Sequence, residues 1–83
     1  MSSLNLTPGK LYRYTNSHFA WCVVDLGNNR IGGFKFVAQG GMLMFLRSEP
    51  SAGAPAVPNV FLMSDGTVVK TENMHARDWE EAM

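Results

Sequence analysis

The sequence lacks paired cysteines, an excess of either charge and any long apolar run. Its one cysteine, Cys22, cannot form an internal disulfide, although small secreted domains usually depend on such bonds. Seven basic residues balance seven acidic ones, so the chain has no overall positive charge of the kind that usually accompanies binding to a nucleic-acid backbone. Apolar runs such as 42–46 and 60–63 are too short to cross a membrane. We therefore expect a cytoplasmic protein with no membrane contact.

Motifs for catalysis and for metal binding are also missing. Eighty-three residues predict a single domain, 1–83, in which a deep pocket would use much of the available core. His18 and Cys22 lie four residues apart, about 13 Å in an extended chain, which is too far for a nucleophile and its base. One cysteine and two histidines do not supply the four ligands of a zinc site. We expect no enzymatic activity, no metal and no cofactor, and we expect Cys22 to be a small buried apolar residue.

Short apolar and aromatic segments recur along the chain with turn residues between them, which is typical of an all-β protein. Asp65-Gly66, flanked by apolar residues, is a strong hairpin signal. Phe34 and Phe36 alternate with a lysine, and we expect both rings in the core. The pattern predicts six strands, at 10–15, 20–26, 31–38, 42–47, 60–64 and 67–71.

Two segments depart from this strand pattern. Residues 48–59 contain three prolines and no periodicity, which predicts a Pro-rich surface loop. In residues 73–83, Trp79 lies four residues from both His75 and Met83, the spacing of one helix face. The sequence therefore predicts a short C-terminal helix over 73–83, with Trp79 packed on the rest of the domain or on a partner.

The charges are unevenly distributed along the chain. Residues 1–71 hold six basic and three acidic side chains, a net charge of +3, whereas residues 72–83 hold one basic and four acidic side chains, a net charge of −3. An acidic tail that lies on a basic body would produce this division, and so would a dipolar docking surface or scattered solvated charges.

The fourth and fifth predicted strands contain more apolar residues than one buried face needs. Successive residues in 42–46 and 60–63 are apolar instead of alternating with polar ones, so both faces of these strands need cover. One face fills the core, and the other is covered within the chain, by a second copy or by a partner. Methionine adapts well to such contacts. The candidate partner-binding residues are Met42, Met44, Leu46, Val60, Leu62 and Trp79.

A second candidate surface combines aromatic and basic residues near the start of the chain. Aromatic rings beside cations are used by proteins that bind single-stranded nucleic acid. Strand alternation, however, places Arg13 on the face opposite Tyr12 and Tyr14, so no continuous stripe results. The candidate residues for nucleic-acid binding, which would be salt-dependent, are Tyr12, Arg13, Tyr14 and Trp21.

The order of these motifs resembles that of SH3-like barrels. The segment PGKLYR at 8–13, the apolar run at 42–46, the hairpin FLMSDGTVV at 61–69 and the closing Trp79 are similar to those of small SH3-like barrel proteins encoded by tailed bacteriophages. The resemblance touches about a third of the chain, and the Pro-rich insertion and helical tail depart from it.

This resemblance implies a small SH3-like barrel of five to six antiparallel strands with a short C-terminal helix. It also implies a non-enzymatic protein-binding module, in this case a phage-encoded adaptor or a modulator or inhibitor of a host protein complex in the host cytoplasm. The alternatives are a nucleic-acid-binding barrel of the KOW or Tudor-like kind and a homo-oligomeric structural protein. Fold-level likeness alone does not choose among these functions.

Overall fold

A computed structural model describes residues 4–28, 30–49, 56–72 and 74–82. These residues form an all-β structure that contains no helix. Within them, no helix is long and apolar enough to cross a membrane. The strands, in chain order, are β1 (Leu11–Tyr14), β2 (Ala20–Gly27), β3 (Arg30–Val37), β4 (Met42–Ser48), β5 (Asn59–Met63), β6 (Val68–Thr71) and β7 (Trp79–Glu81).

All seven strands belong to one antiparallel sheet in the order β3-β2-β6-β5-β4-β1-β7. The prediction of an all-β fold is confirmed, and the first six strands match the predicted ones to within about two residues at either end. The sheet has seven strands and is not closed by hydrogen bonds between β3 and β7, so the described residues do not show the SH3-like barrel of five to six strands that we predicted.

The hairpin between β5 and β6 turns at the predicted Asp65-Gly66 pair. Gly66 has a φ of +90°, a conformation that glycine adopts without steric cost. The Asp65 carboxylate accepts a hydrogen bond from the backbone N–H of Thr67 at 2.9 Å, which fixes the turn. The Met63 N–H donates to the Thr67 carbonyl at 2.8 Å, and the β5–β6 ladder continues from there.

The predicted C-terminal helix is wrong, because the tail forms a turn and then strand β7. Trp79 and Glu80 pair with Tyr14 and Arg13 of β1. A helix of about eleven residues is only marginally stable by itself in water. Strand pairing instead gives the tail ladder hydrogen bonds, a ring contact between Trp79 and Tyr14 at 5.0 Å, and an ion pair between Glu80 and Arg13. Asn73 and Met83 lie outside the described residues.

The core lies on the inner face of the sheet. The inward-pointing residues of β4 are Leu43 and Phe45, which settles the choice of face that the sequence left open. Cys22 is buried there, as predicted. The buried cluster comprises Tyr12, Tyr14, Cys22, Val37, Leu43, Phe45, Phe61, Val69, Met74 and Trp79.

The prediction that Phe34 and Phe36 belong to the core is wrong. Phe34 is 67% exposed and Phe36 is 63% exposed. The alternation along β3 is correct, but the inner position is taken by Val37, which is buried. Lys35, between the two phenylalanines, pairs with the core residue Cys22, so Phe34 and Phe36 lie on the opposite, outer face. Periodicity separated the two faces of β3 without showing which of them faces the core.

A buried lysine lies on the outer face in the middle of the sheet. Lys70 is 3% exposed and pairs across the ladders with Val23 and Val60, both of which are buried. Its ammonium lies 3.5 Å from a carboxylate oxygen of Glu49, and the other oxygen of Glu49 accepts a hydrogen bond from Arg47 at 2.7 Å. The charge of Lys70 therefore has a partner, as a buried charge requires.

The predicted Pro-rich loop falls mostly outside the described residues, since 50–55 are not described. Of the remainder, Ser48 ends β4 and Asn59 begins β5. Residues 56–58 have no regular secondary structure, and the carbonyl of Pro58 accepts a hydrogen bond from Glu49 N–H at 2.8 Å.

Candidate functional site

The β2–β3 hairpin carries a group of exposed aromatic rings. Phe34 and Phe36 project from the same face of β3, and Trp21 of β2 lies opposite Phe36. The rings of Trp21 and Phe34 meet edge to face, with centroids 5.8 Å apart. We call Trp21, Phe34 and Phe36 the aromatic edge. Burying two phenylalanine side chains would contribute about 1.5–3 kcal/mol each, so this surface has a substantial driving force for association.

Strand β3 is also the last strand of the sheet on its side. In the described part of the chain, β3 pairs only with β2, so its other side is an unpaired edge. Pairing with β2 is regular from Phe34 to Val37, whereas register shifts interrupt it near Asp25. Lys35, between the two phenylalanines, has its ammonium 3.3 Å from Asp65. The regular part of the edge therefore coincides with the exposed rings.

The partner-binding residues predicted from sequence do not form one exposed surface. Met42, Met44, Leu46 and Leu62 lie on the outer face of β4 and β5, where Met42 is 43% exposed and the other three are partly buried. Val60 is fully buried on that face. Trp79 is only 6% exposed and belongs to the core cluster. The structure brings the first four together and separates them from Trp79.

The residues predicted for nucleic-acid binding are mostly occupied by internal contacts. Tyr12 and Tyr14 are buried, so their rings offer no surface on which a base can stack. The Arg13 guanidinium donates to Glu80 at 2.6 Å. Trp21 remains partly exposed and belongs instead to the aromatic edge.

A pocket of about 170 Å³ lies on the side of the core where the sheet is not closed. It forms where β1 and β7 approach β2 and β6, pairs of strands that β5 and β4 separate in the sheet order. We call it the seam pocket. Its walls are Tyr14, Ala20, Trp21, Thr71, Glu72, Met74, Asp78 and Trp79.

The charged groups of the seam pocket are acidic. Asp78 and Glu72 are its only ionisable carboxylates, and no basic residue lines it within the described chain. Asn16 donates a hydrogen bond to Asp78 Oδ1 at 2.9 Å and so fixes that carboxylate, while Arg77 Nε lies 3.9 Å from Oδ2. Burial and the nearby Asp78 charge both raise the pKa of Tyr14, which therefore stays neutral at pH 7.

Cys22 is not an activated nucleophile, and the described residues contain no cluster of metal ligands. Burial raises the pKa of Cys22 to about 11, so the side chain is a neutral thiol at pH 7, and it donates a hydrogen bond to the Lys35 carbonyl at 3.4 Å. No three histidine, cysteine, aspartate or glutamate side chains gather closely enough there to hold a metal ion.

Sequence reasoning did not identify the aromatic edge or the seam pocket. The alternation of Phe34, Lys35 and Phe36 was visible, but an alternating strand is equally compatible with either orientation. The pocket joins residues from β1, β2, β6 and the tail, so no local spacing encodes it. No model of a known protein family, no curated protein and no solved structure matches the chain.

Proposed function

We propose that this protein is a non-enzymatic protein-binding module that uses the free edge of β3 and the aromatic edge as its contact surface. The observation that carries the proposal is the exposure of Phe34 and Phe36 on an unpaired edge strand. The resemblance to SH3-like barrel proteins of tailed phages belongs to the same proposal, with the role of adaptor or modulator of a host complex.

The occupant that we propose is an extended segment of a partner protein that adds a strand beside β3. Edge strands bind such segments through backbone hydrogen bonds, while the side chains at alternate positions give specificity. Because Phe34 and Phe36 are two residues apart on one face, the partner should present apolar residues at alternate positions. The aromatic edge then covers that apolar row.

Charge favours a different protein over a second copy of this chain. The charged residues of β3 are Arg30 and Lys35, and both are basic. Two β3 strands side by side would bring four cations together against only the two Asp65 carboxylates that pair with Lys35, and like charges on paired strands are destabilising. An acidic residue beside the apolar row of the partner would instead be attracted.

The experiment is a selection from a displayed library of ten-residue peptides on the immobilised protein, followed by affinity measurements. We expect binders with apolar residues at alternate positions and at least one acidic residue. Phe36→Ser should weaken them at least tenfold, while the matched change Met42→Ser, on the outer face of β4, should leave affinity within twofold. Slower hydrogen exchange at β3 amides in the complex should locate the added strand.

Three results would count against this assignment. Binders that are lost on Met42→Ser and kept on Phe36→Ser would place the contact on β4. A mass that rises with concentration and falls back on Phe36→Ser in sedimentation would make a second copy the occupant. Binding of a labelled single-stranded oligonucleotide with a steep salt dependence would favour the nucleic-acid alternative.

A further inference from the structure

The seam pocket combines aromatic rings with carboxylates and shares only Trp21 with the aromatic edge used in the proposed docking along β3. Tyr14 and Trp79 form one wall, with ring centroids 5.0 Å apart, and Trp21 contributes a third ring from β2. Asp78 and Glu72 supply negative charge at the same pocket. Aromatic faces attract cations through their quadrupole, and a nearby carboxylate adds to that attraction.

The acidic character of the pocket is held in place by the fold. The Asp78 backbone carbonyl accepts a hydrogen bond from Thr15 N–H at 2.8 Å, and Asn16 fixes its side chain at 2.9 Å. Arg77 approaches Asp78 only at 3.9 Å, its side chain is mostly exposed, and it does not line the pocket. The carboxylates of Asp78 and Glu72 together with the one neighbouring cation, Arg77, therefore carry a net charge of −1.

The pocket also contains a polar group without a partner. Thr71 lines it, and the Thr71 hydroxyl oxygen is buried and has no hydrogen-bond partner within the described structure. A volume of about 170 Å³ is several times that of one water molecule, about 30 Å³, and smaller than the roughly 300 Å³ of sites for drug-sized molecules. The space suits a small head group or the end of one side chain.

We propose that the seam pocket binds an alkylammonium group, supplied either by a small quaternary amine or by a lysine side chain of a protein. The rings of Trp21 and Trp79 contact its methyl or methylene groups, and Asp78 and Glu72 balance its charge. This inference goes beyond the docking along β3 and does not depend on it.

The test uses choline chloride as the probe and 3,3-dimethylbutan-1-ol, which has the same shape without the charge, as its matched control. Both tryptophans of the chain line the pocket, so their fluorescence reports its occupancy directly. We expect choline to change the fluorescence in a saturable manner and to bind about tenfold more tightly than the neutral alcohol. Equal binding of the two compounds, or no saturable change with either, overturns the proposal.

Variants separate the acidic group from general charge effects. Asp78→Asn keeps an oxygen that can accept from Asn16 and should lower choline affinity about fivefold. Glu80→Gln removes the same charge two residues away, outside the pocket lining, and should leave affinity within twofold. An equal loss of choline affinity in both variants would mean that only the overall charge of the tail matters, and it would overturn the proposed site. Should Asp78→Asn fail to fold, the comparison of choline with the alcohol on the unmodified protein decides the matter.

A second set of probes distinguishes the two sources of the ammonium group. Nα-acetyl-lysine methylamide represents a protein side chain, and its affinity relative to choline shows which source the pocket prefers. Met42→Ser, which lies outside both the pocket lining and the aromatic edge, should leave choline binding unchanged, and the choline titration makes no use of the free edge of β3. Failure of the choline test would therefore leave the proposed docking along β3 intact, and failure of the peptide selection would leave the pocket intact.

Discussion

The two edges of the sheet are built in opposite ways. Strand β7, at one edge, has three residues, directs Trp79 into the core, and places Glu80 2.6 Å from Arg13 and Glu81 3.6 Å from Lys10. Strand β3, at the other edge, has eight residues and exposes Phe34 and Phe36. The first edge is short and charged, whereas the second is long and aromatic.

This difference is the reason for proposing association at β3 and not at β7. Short length and charged side chains are the usual means by which an edge strand avoids pairing with another chain. Strand β7 has both of these features. Strand β3 has register shifts near Asp25 and one ion pair, Lys35 with Asp65, but its regularly paired half carries the exposed rings. The same exposed rings on which we base the proposed docking along β3 would favour aggregation when no partner is present.

The largest difference between the edges should appear in stability when an aromatic ring is removed from each. Trp79→Ala leaves a cavity beside Tyr14 in the core and should lower the free energy of unfolding by about 3–5 kcal/mol. Phe36→Ala, which removes a mostly exposed ring, should change it by less than about 0.5 kcal/mol. Urea denaturation of both variants measures the two values, and similar losses would show that the edges do not differ in this way.

A smaller effect is expected from reversing the charges of β7. Glu80→Lys with Glu81→Lys places like charges opposite Arg13 and Lys10, and should lower the free energy of unfolding by about 1 kcal/mol at low salt. The loss should shrink in 1 M salt, because the pairs are solvent-exposed and screened. The variant with glutamine at both positions removes the attraction without adding repulsion. Its free energy of unfolding should lie between those of the unmodified protein and the double lysine variant. A loss that does not depend on salt would mean that packing, and not charge, holds this edge.

The Asp65 carboxylate, which is held by Thr67 in the turn and by Lys35 of β3, should make stability depend on acid pH. Hydrogen bonds from Thr67 and the Lys35 ammonium lower the pKa of Asp65 from 3.8 to about 2. A carboxylate with a lowered pKa in the folded state contributes stability above its ordinary pKa, and that contribution is lost as pH falls from about 4 to 2. Asp65→Asn should therefore be less stable at pH 7 and show a smaller decline between pH 4 and pH 2.

Urea midpoints measured from pH 7 to pH 2 test this prediction. Hydrogen bonding to Arg47 also lowers the pKa of Glu49. This effect adds equally to the acid dependence of the unmodified protein and of Asp65→Asn, so subtracting one curve from the other removes it. Parallel curves for the two proteins would show that Asp65 does not hold this edge.

The smallest effect concerns Cys22, which lies beneath the exposed hairpin and pairs with Lys35 across the β2–β3 ladder. A buried thiol with a pKa of about 11 should react with iodoacetamide at pH 8 far more slowly than the same thiol in the urea-unfolded chain. We expect Phe36→Ser to leave this slow rate unchanged. Rapid modification of the native protein would show that the β3 edge opens, and is not merely exposed.

Much of the strand layout could be predicted from local pattern. Asp65-Gly66 specified a hairpin by turn chemistry, and the apolar run at 42–46 predicted a strand whose two faces both need cover. The burial of Cys22 followed from its residue type. These features depend on neighbours in sequence, which is why local reasoning reached them.

The tail and the aromatic edge could not be reached in that way. The spacing of His75, Trp79 and Met83 fits a helix, but the tail becomes a strand because β1 offers it a ladder, two cations and a ring. Local pattern did not predict the candidate site either, because the order of strands in the sheet leaves β3 at an edge with Phe34 exposed. Strand order depends on contacts between residues far apart in the chain.

The sequence by itself determined that this protein is built from short antiparallel strands, where six of them lie and how one hairpin turns. Turn residues and period-two alternation act over a few residues and need no distant partner. Only the tertiary structure decided which face of β3 meets solvent, that the acidic tail pairs with β1, and that three rings and two carboxylates meet in the seam pocket. Burial and pairing across the sheet are properties of the whole chain, because each strand's environment is supplied by the others.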